Sequence, residues 1–217
     1  MISSPTLTRN DIEVVEKTTP YDGYFRLDVY RLKHKLFEGG WSGEMTREIF
    51  ERGHAVSVLP YDPLLDKVVL IEQFRPGAFA AIESGWFGGQ ASPWLIECVA
   101  GIIEKGEDPE DVARRETLEE TGCSLGEIMP ACRYLSSPGC TSESVSVYCG
   151  QVDATNAGGI HGLTDEHENI RVFSIPAEEA FQLLNDGGII NAMTVIALQW
   201  LAANHGRVRG LWQGQGA

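Results

Sequence analysis

The pattern of apolar and polar positions predicts a chain that mixes strands and helices. Apolar or alternating segments predict strands at 25–37, 54–59, 67–74, 94–100, 144–152 and 170–175. Turn-forming residues at 61–63 predict a hairpin between the second and third of these strands. Capping residues and helical spacing predict helices at 108–121, 176–185 and 191–204. The mixture indicates an α+β fold, or an α/β/α sandwich.

Two further segments differ from this pattern. Residues 1–50 are predicted to form an N-terminal arm or small sheet, with residues 51–217 as the main domain. Residues 82–93 carry three glycines around Trp86 and Phe87, which predicts a long mobile loop of the kind that often borders a ligand.

Composition and charge narrow the classes of function. The 217 residues, 43% of them hydrophobic, are enough to bury a core, and a formal charge of −14 disfavours nucleic acid as a partner. A local cluster of cations can still bind a small phosphorylated ligand, because the net charge is screened at a distance. Five scattered cysteines without zinc spacing indicate a reducing compartment. Without an apolar leader or a membrane-length apolar run, we expect a cytoplasmic protein that does not bind membranes.

The richest chemistry lies at 101–123, a loop that leads into a helix. Helical spacing places Glu116, Glu119 and Glu120 within an arc of roughly 100°. Like charges so close repel one another unless a cation lies among them, and carboxylate oxygens suit Mg²⁺ or Mn²⁺. A solvated acidic face is the alternative interpretation, and helix spacing alone does not separate the two.

The surrounding residues favour the metal site. This segment resembles the Nudix box, because every charged and glycine position of that motif is present: Gly101, Glu107, Arg115, Glu116, Glu119, Glu120 and Gly122. Thr117 and Cys123 depart from the motif, since both occupy positions that are apolar in the family. These departures concern local packing and not the reacting groups.

The resemblance implies a Nudix hydrolase, with a mixed β-sheet between helices and an N-terminal β-rich arm. It also implies that Glu116, Glu120 and the carbonyl of Ala100 bind Mg²⁺ or Mn²⁺, and that Glu119 supports the site. Arg115 would pair with Glu107 and hold the loop on the helix. Bound cations of this kind neutralise a diphosphate and lower the pKa of water.

The resemblance extends over residues 21–204 and is closest to bacterial ADP-ribose pyrophosphatases. Residues 47–54, 136–143 and 159–168 carry it outside the box. The last of these segments resembles an acidic catalytic loop, which implies Glu166 as the general base, with Glu168 as the alternative base or a further metal ligand. A solvated acidic turn is the other interpretation of both residues.

Five more residues match positions near the substrate in that group. Arg47, Arg52 and Arg75 would bind the diphosphate, because the guanidinium fork donates to two oxygens at once. Tyr24 would stack on adenine, and Glu143 would contact the ribose side of the substrate or support a residue that binds it. Surface salt bridges for the arginines and ordinary strand packing for Tyr24 are the alternatives.

The hypothesis from sequence is hydrolysis of ADP-ribose to AMP and ribose 5-phosphate by a metal-activated water. Another nucleoside diphosphate sugar such as GDP-mannose, or a dinucleotide, is the alternative substrate. A non-catalytic module that senses ADP-ribose is a third hypothesis. The resemblance further implies a homodimer in which the N-terminal region crosses to the partner, and a segment at 82–93 that acts as a lid or adds to the dimer contact.

Overall fold

The computed structural model describes residues 7–85 and 91–214, apart from the side chain of Glu166. The chain divides into two compact units, of which the first comprises Met1–His54 and Leu135–Ser144 and the second comprises Ala55–Tyr134 and Val145–Ala217. Trp86 and Phe87, at the centre of the predicted mobile loop, lie outside the described residues. Within the described ranges, no helix combines the length and the apolar character that crossing a membrane requires.

The secondary structure comprises the following strands and helices. The strands are β1 (Ile12–Asp22), β2 (Arg26–His34), β3 (Met45–Glu51), β4 (His54–Asp62), β5 (Lys67–Phe74), β6 (Trp94–Glu97), β7 (Val99–Ile103), β8 (Ile128–Leu135), β9 (Ser144–Gln151), β10 (Gly159–His161) and β11 (Ile170–Pro176). The helices are α1 (Pro76–Glu83), α2 (Pro109–Thr121), α3 (Ala177–Asn185) and α4 (Ala192–Gln213).

The first unit contains a three-stranded antiparallel sheet in the order β1, β2, β3. The prediction of an N-terminal β-rich arm is therefore confirmed. Its centre is Asp28, a fully buried carboxylate that pairs with Lys17 Nζ at 2.8 Å and accepts from Thr19 Oγ1 at 2.7 Å. These bonds, with an ion pair to Arg26 at 3.1 Å, lower the pKa of Asp28 to about 2. The small sheet is thus held by a buried charge with three partners.

The second unit contains an eight-stranded mixed sheet. The main path runs β10, β11, β5, β4, β9, β8, while β6 pairs with β5 and β7 pairs with β4. Strand β4 runs parallel to β9, with Ala55 opposite Val145, and antiparallel to β5, with Tyr61 opposite Val68. The predicted hairpin between 54–59 and 67–74 is confirmed, because β4 and β5 form it.

Both faces of this sheet are covered by helices. Alternate residues of β4, β5 and β9 pack with α3 and α4 on one face: Ala55, Leu59, Tyr61, Val68, Leu70, Val145, Val147 and Cys149. Val56, Val58 and Tyr148 point to the opposite face, where they pack with Val112 and Ala113 of α2. Because successive side chains of a strand point to opposite faces, the sheet contributes to two cores, one on each face. The predicted α/β/α sandwich is confirmed.

Several predicted elements differ from the structure in their bounds. The strand predicted at 94–100 is wrong as one element, because it forms two strands, β6 and β7. The strand predicted at 25–37 ends earlier, at His34. The helix predicted at 191–204 continues as α4 to Gln213, and its later turns bury Val208 and Trp212. Gly206 and Gly210 lower the helix propensity there, so packing against the sheet and not propensity sets the end of α4. The predicted loop at 82–93 is also partly wrong, because its first two residues belong to α1.

Candidate active site

Helix α2 carries the acidic residues, and both of its ends are fixed locally. Asp108 caps it by accepting from the amide of Glu110 at 2.8 Å, and Pro109 occupies the first turn. Gly122 ends the helix with φ of 70°, a left-handed conformation that glycine adopts without strain. The predicted start and end of this helix are confirmed.

The two departures from the box are accommodated by packing. Thr117 is fully buried, and its hydroxyl donates to the carbonyl of Ala113 at 2.7 Å, so this buried hydroxyl has a hydrogen-bond partner. Cys123 is buried in an apolar cluster with Val69 and Ile71. Small, weakly polar side chains therefore fill positions where the family has apolar ones.

Glu116 and Glu120 point inward from α2. Glu120 is 3% exposed, and one of its oxygens accepts from the amide of Ala100 at 3.2 Å. Glu116 has a side chain that is 15% exposed and accepts from Arg115 Nη1 at 2.8 Å. Burial raises the pKa of Glu116 to about 7, opposed by Arg115 and reinforced by Glu119 and Glu168. Burial also raises the pKa of Glu120 well above its usual value.

The strand beside these acids approaches them closely. A Cβ atom at Gly101 would lie only 2.2 Å from the carboxyl carbon of Glu116, so glycine is required for the carboxylate to lie there. Glu120 is buried and Glu116 is partly buried, and both have raised pKa values. They need a cation to be charged together, and hard oxygen donors fit Mg²⁺ or Mn²⁺. Among the described residues, however, no three acidic, histidine or cysteine side chains are arranged to hold an ion by themselves. The ligand set with the Ala100 carbonyl stays a prediction.

Arg115 links the loop to the helix in the predicted way. Its guanidinium lies 3.6 Å from Glu107 and 3.4 Å from Glu119. Glu107 in turn accepts from the amide of Glu104 at 2.8 Å, which closes the loop before α2. Because these ion pairs are partly exposed, they contribute little to the stability of the fold. Their main effect is to fix the position of the loop relative to α2.

The acidic loop also belongs to the second unit. Glu168 accepts from the amide of Leu163 at 3.0 Å, and its charge helps to raise the pKa of both Glu116 and Glu120. Glu168 therefore lies close enough to interact with the box acids. The side chain of Glu166 is outside the described part of the chain, so its role as base stays a prediction.

Arg75 is held by a residue that sequence reasoning missed. Glu97 is 1% exposed and accepts from Arg75 Nη2 at 2.6 Å and from Arg75 Nε at 3.0 and 3.1 Å. Gln73 donates to the same carboxylate at 3.4 Å and Asn191 at 2.9 Å. The signal in the sequence was a lone acidic residue inside the apolar strand predicted at 94–100.

The other predicted substrate contacts lie in the first unit. Arg52 Nε lies 3.1 Å from the buried carboxylate of Glu143, and the Arg52 guanidinium lies 5.7 Å from the centre of the Phe25 ring. Tyr24 is 86% exposed and meets Phe25 edge-on at 4.7 Å. Arg47 donates to the carbonyl of the preceding residue at 2.8 Å. The sequence did not indicate Phe25, and the substrate roles of the four predicted residues stay predictions.

Comparison with known proteins agrees with this architecture. The NUDIX domain profile matches residues 51–192. The chain is 50% identical over 207 residues to the ADP-ribose pyrophosphatase of Escherichia coli (strain K12), covering 95% of each chain. It is 31% identical over 208 residues to the GDP-mannose pyrophosphatase of Pectobacterium atrosepticum, covering 94% of this chain and 98% of that one.

A solved structure described as an ADP compounds hydrolase superposes with a TM-score of 0.67 at 21% identity, over 98% of this chain and 99% of that one. At that identity the likeness concerns the fold alone. The profile and the sequence relatives together show that this chain belongs to the Nudix family.

Gly101 provides a local test of the carboxylate geometry. We expect Gly101→Ala to lower turnover by about 100-fold, because the added methyl group displaces Glu116 from its place beside the strand. Steady-state kinetics at saturating Mg²⁺ measure the effect. Gly77→Ala is the matched control, since a Cβ there meets no atom within 4 Å. Wild-type turnover by Gly101→Ala would contradict the assigned position of Glu116.

The raised pKa of Glu116 predicts how the stability of the metal-free protein depends on pH. The folded state holds the proton up to about pH 7, whereas the unfolded chain loses it near the usual value of 4.5. Stability should therefore fall as pH rises between these values, because the folded state binds more protons there. Glu116→Gln should reduce this fall in Tm.

Mg²⁺ should raise the Tm of the wild type at pH 8 and should raise that of Glu116→Gln much less. Thermal unfolding in EDTA and in Mg²⁺, between pH 5.5 and 8, measures both effects. The exposed Glu127→Gln is the control and should behave like the wild type. An equal response of Glu116→Gln to pH and to Mg²⁺ would exclude this carboxylate from the cation site.

Proposed function

We propose that this chain is a metal-dependent ADP-ribose pyrophosphatase, which hydrolyses ADP-ribose to AMP and ribose 5-phosphate. The observation that carries the proposal is the 50% identity to a bacterial ADP-ribose pyrophosphatase over 95% of each chain. The identity to a GDP-mannose pyrophosphatase is 31%, which makes GDP-mannose the weaker candidate. Intact acids at the box also argue against a module that only senses ADP-ribose.

The residues of α2 would hold the cation. Glu120 is buried and Glu116 partly buried, and the pKa of each is raised, so a nearby cation would stabilise their charged forms. A bound Mg²⁺ or Mn²⁺ would supply charge neutralisation for the diphosphate and acidify a water molecule. The Ala100 carbonyl would complete the set, since the amide of the same residue already contacts Glu120 at 3.2 Å.

Deprotonation of the attacking water needs a general base that does not bind the cation. Glu166 is our candidate, because it lies on the acidic loop and outside the box. Glu168 is the alternative base or a further metal ligand, and its electrostatic interaction with Glu116 and Glu120 supports the second role. The loop would bring this acid to the reacting water by closing over the site.

The remaining assignments stay proposals. The exposure and charge of Arg75 support a role in binding the diphosphate, since its side chain is 40% exposed and interacts electrostatically with Glu120 and Glu168. The roles of Tyr24, Arg47, Arg52 and Glu143 in substrate binding remain predictions from the family resemblance. The homodimer remains a prediction of the same kind.

Product analysis tests the function. With ADP-ribose and Mg²⁺ we expect AMP and ribose 5-phosphate, and in ¹⁸O-labelled water one of the two products should gain the label. EDTA should abolish turnover, because the carboxylates lack a cation. A panel with GDP-mannose and a dinucleoside diphosphate should show lower kcat/KM than ADP-ribose. Failure to prefer ADP-ribose over GDP-mannose would reverse the assignment.

The two glutamates of the loop have separable expected effects. Glu166→Gln should lower kcat by about 100-fold or more, while leaving the Mg²⁺ concentration for half-maximal rate unchanged, because it removes a base. Glu168→Gln should raise that Mg²⁺ requirement, because it removes a ligand. Asp165→Asn, on the same loop, is the control and should retain nearly full activity. The reverse pattern would exchange the two roles.

A further inference from the structure

One buried carboxylate has no part in the function proposed so far. Glu97 is the last residue of β6, and it is 1% exposed although the segment around it is apolar. Its two oxygens accept from three side chains, those of Gln73, Arg75 and Asn191. A carboxylate buried this fully is stable only with such partners, and the function proposed above does not account for its presence.

The backbone on both sides of the pair is fixed. Glu97 lies opposite Ile71 in the β5–β6 ladder, and the amide of Arg75 donates to the carbonyl of Pro93 at 2.9 Å. Asn191 caps α4 with its side-chain oxygen and donates its amide to Glu97. Sheet and helix therefore hold the carboxylate in one position.

Glu97 engages only one edge of the Arg75 guanidinium. The bonds use Nε and Nη2, at 3.0 and 2.6 Å from the same carboxylate oxygen. Within residues 7–85 and 91–214, no hydrogen bond engages Nη1 or the second hydrogen of Nη2, and the Arg75 side chain is 40% exposed. This free edge is suited to two oxygens of a phosphate group.

The guanidinium of Arg75 interacts electrostatically with acids of the candidate metal site. Burial lowers the pKa of Arg75, but Glu97, Glu120 and Glu168 together raise it above its usual value. If Glu97 did not hold Arg75, its guanidinium would pair with the nearest carboxylate of the metal site. Such a contact would compete with the cation and leave the diphosphate without its donor.

We propose that Glu97 is a positioning residue, which binds the Nε edge of Arg75 and thereby directs the adjoining Nη1–Nη2 edge toward the diphosphate of the substrate. This role rests on the proposed function, because it requires a diphosphate bound beside Glu116 and Glu120. Glu97 itself does not contact the substrate. Its contribution is to keep Arg75 extended before the substrate arrives.

A double-mutant cycle separates positioning from ordinary structural support. Glu97→Gln and Arg75→Ala should each lower kcat/KM for ADP-ribose by about 100-fold, because the guanidinium that binds the diphosphate is misplaced or removed. If Glu97 acts through Arg75, the double variant should lie within about twofold of Arg75→Ala. Independent structural damage would instead multiply the two losses.

Equilibrium binding gives a readout that does not depend on turnover. Titration calorimetry with the non-hydrolysable α,β-methylene analogue of ADP-ribose should show the same non-additive pattern in Kd. Arg75→Lys tests the arrangement without altering the buried carboxylate, since a lysine that satisfies Glu97 has no second edge to offer. It should bind the analogue at least about tenfold more weakly than the wild type, while its Tm stays close to that of the wild type.

Asp66 and Arg209 supply the matched control pair. Their ion pair has a distance of 2.6 Å and ties α4 to the turn between β4 and β5. Asp66→Asn and Arg209→Ala should lower Tm and leave kcat/KM within about twofold.

The outcomes distinguish the two proposals. Wild-type protein that does not hydrolyse ADP-ribose would overturn the proposed function, and the role of Glu97 with it. Wild-type turnover with multiplying effects of Glu97→Gln and Arg75→Ala would overturn the role of Glu97 alone. Normal binding of the analogue by Arg75→Lys would do the same, even if Glu97→Gln fails to fold.

Discussion

The burial of two carboxylates on one helix is the constraint on which the site depends. Glu116 and Glu120 project from α2 toward β7, where the amide of Ala100 and the absent side chain of Gly101 let them approach the backbone. Such a pair is unfavourable in the charged state without a cation, which is why burial raises the pKa of both. The fold keeps this unfavourable arrangement because the rest of the second unit packs well around it.

The sandwich provides that packing. Val112 and Ala113 anchor α2 to one face of the sheet, while α3 and α4 cover the other. The acids are therefore fixed relative to β7, and Asn191 at the start of α4 reaches Glu97 from the other layer. A rigid core of this kind allows carboxylates and a guanidinium to be placed before any ligand binds.

Much of helix α2 and of its acidic site was predictable from local patterns in the sequence. Capping by Asp108, the glycine at 122 and the spacing of the box acids are short-range features, so the helix and its chemistry followed from the sequence. The extent of α4 beyond residue 204 did not, because its last turns depend on burial of Trp212 against the sheet. Strand β1 was missed because all of its residues are exposed and give no apolar alternation. The partner of Arg75 was missed because a lone acidic residue in an apolar strand indicates a buried charge but does not indicate which distant residue pairs with it.

We infer that Glu116 and Glu120 together hold a divalent cation. Paramagnetic titration of the metal-free protein with Mn²⁺ tests it most directly, since it counts bound ions without requiring catalysis. We expect the wild type to bind Mn²⁺ in competition with Mg²⁺, and Glu120→Gln to bind at least about tenfold more weakly. Equal affinity of the wild type and Glu120→Gln for Mn²⁺ would contradict the account.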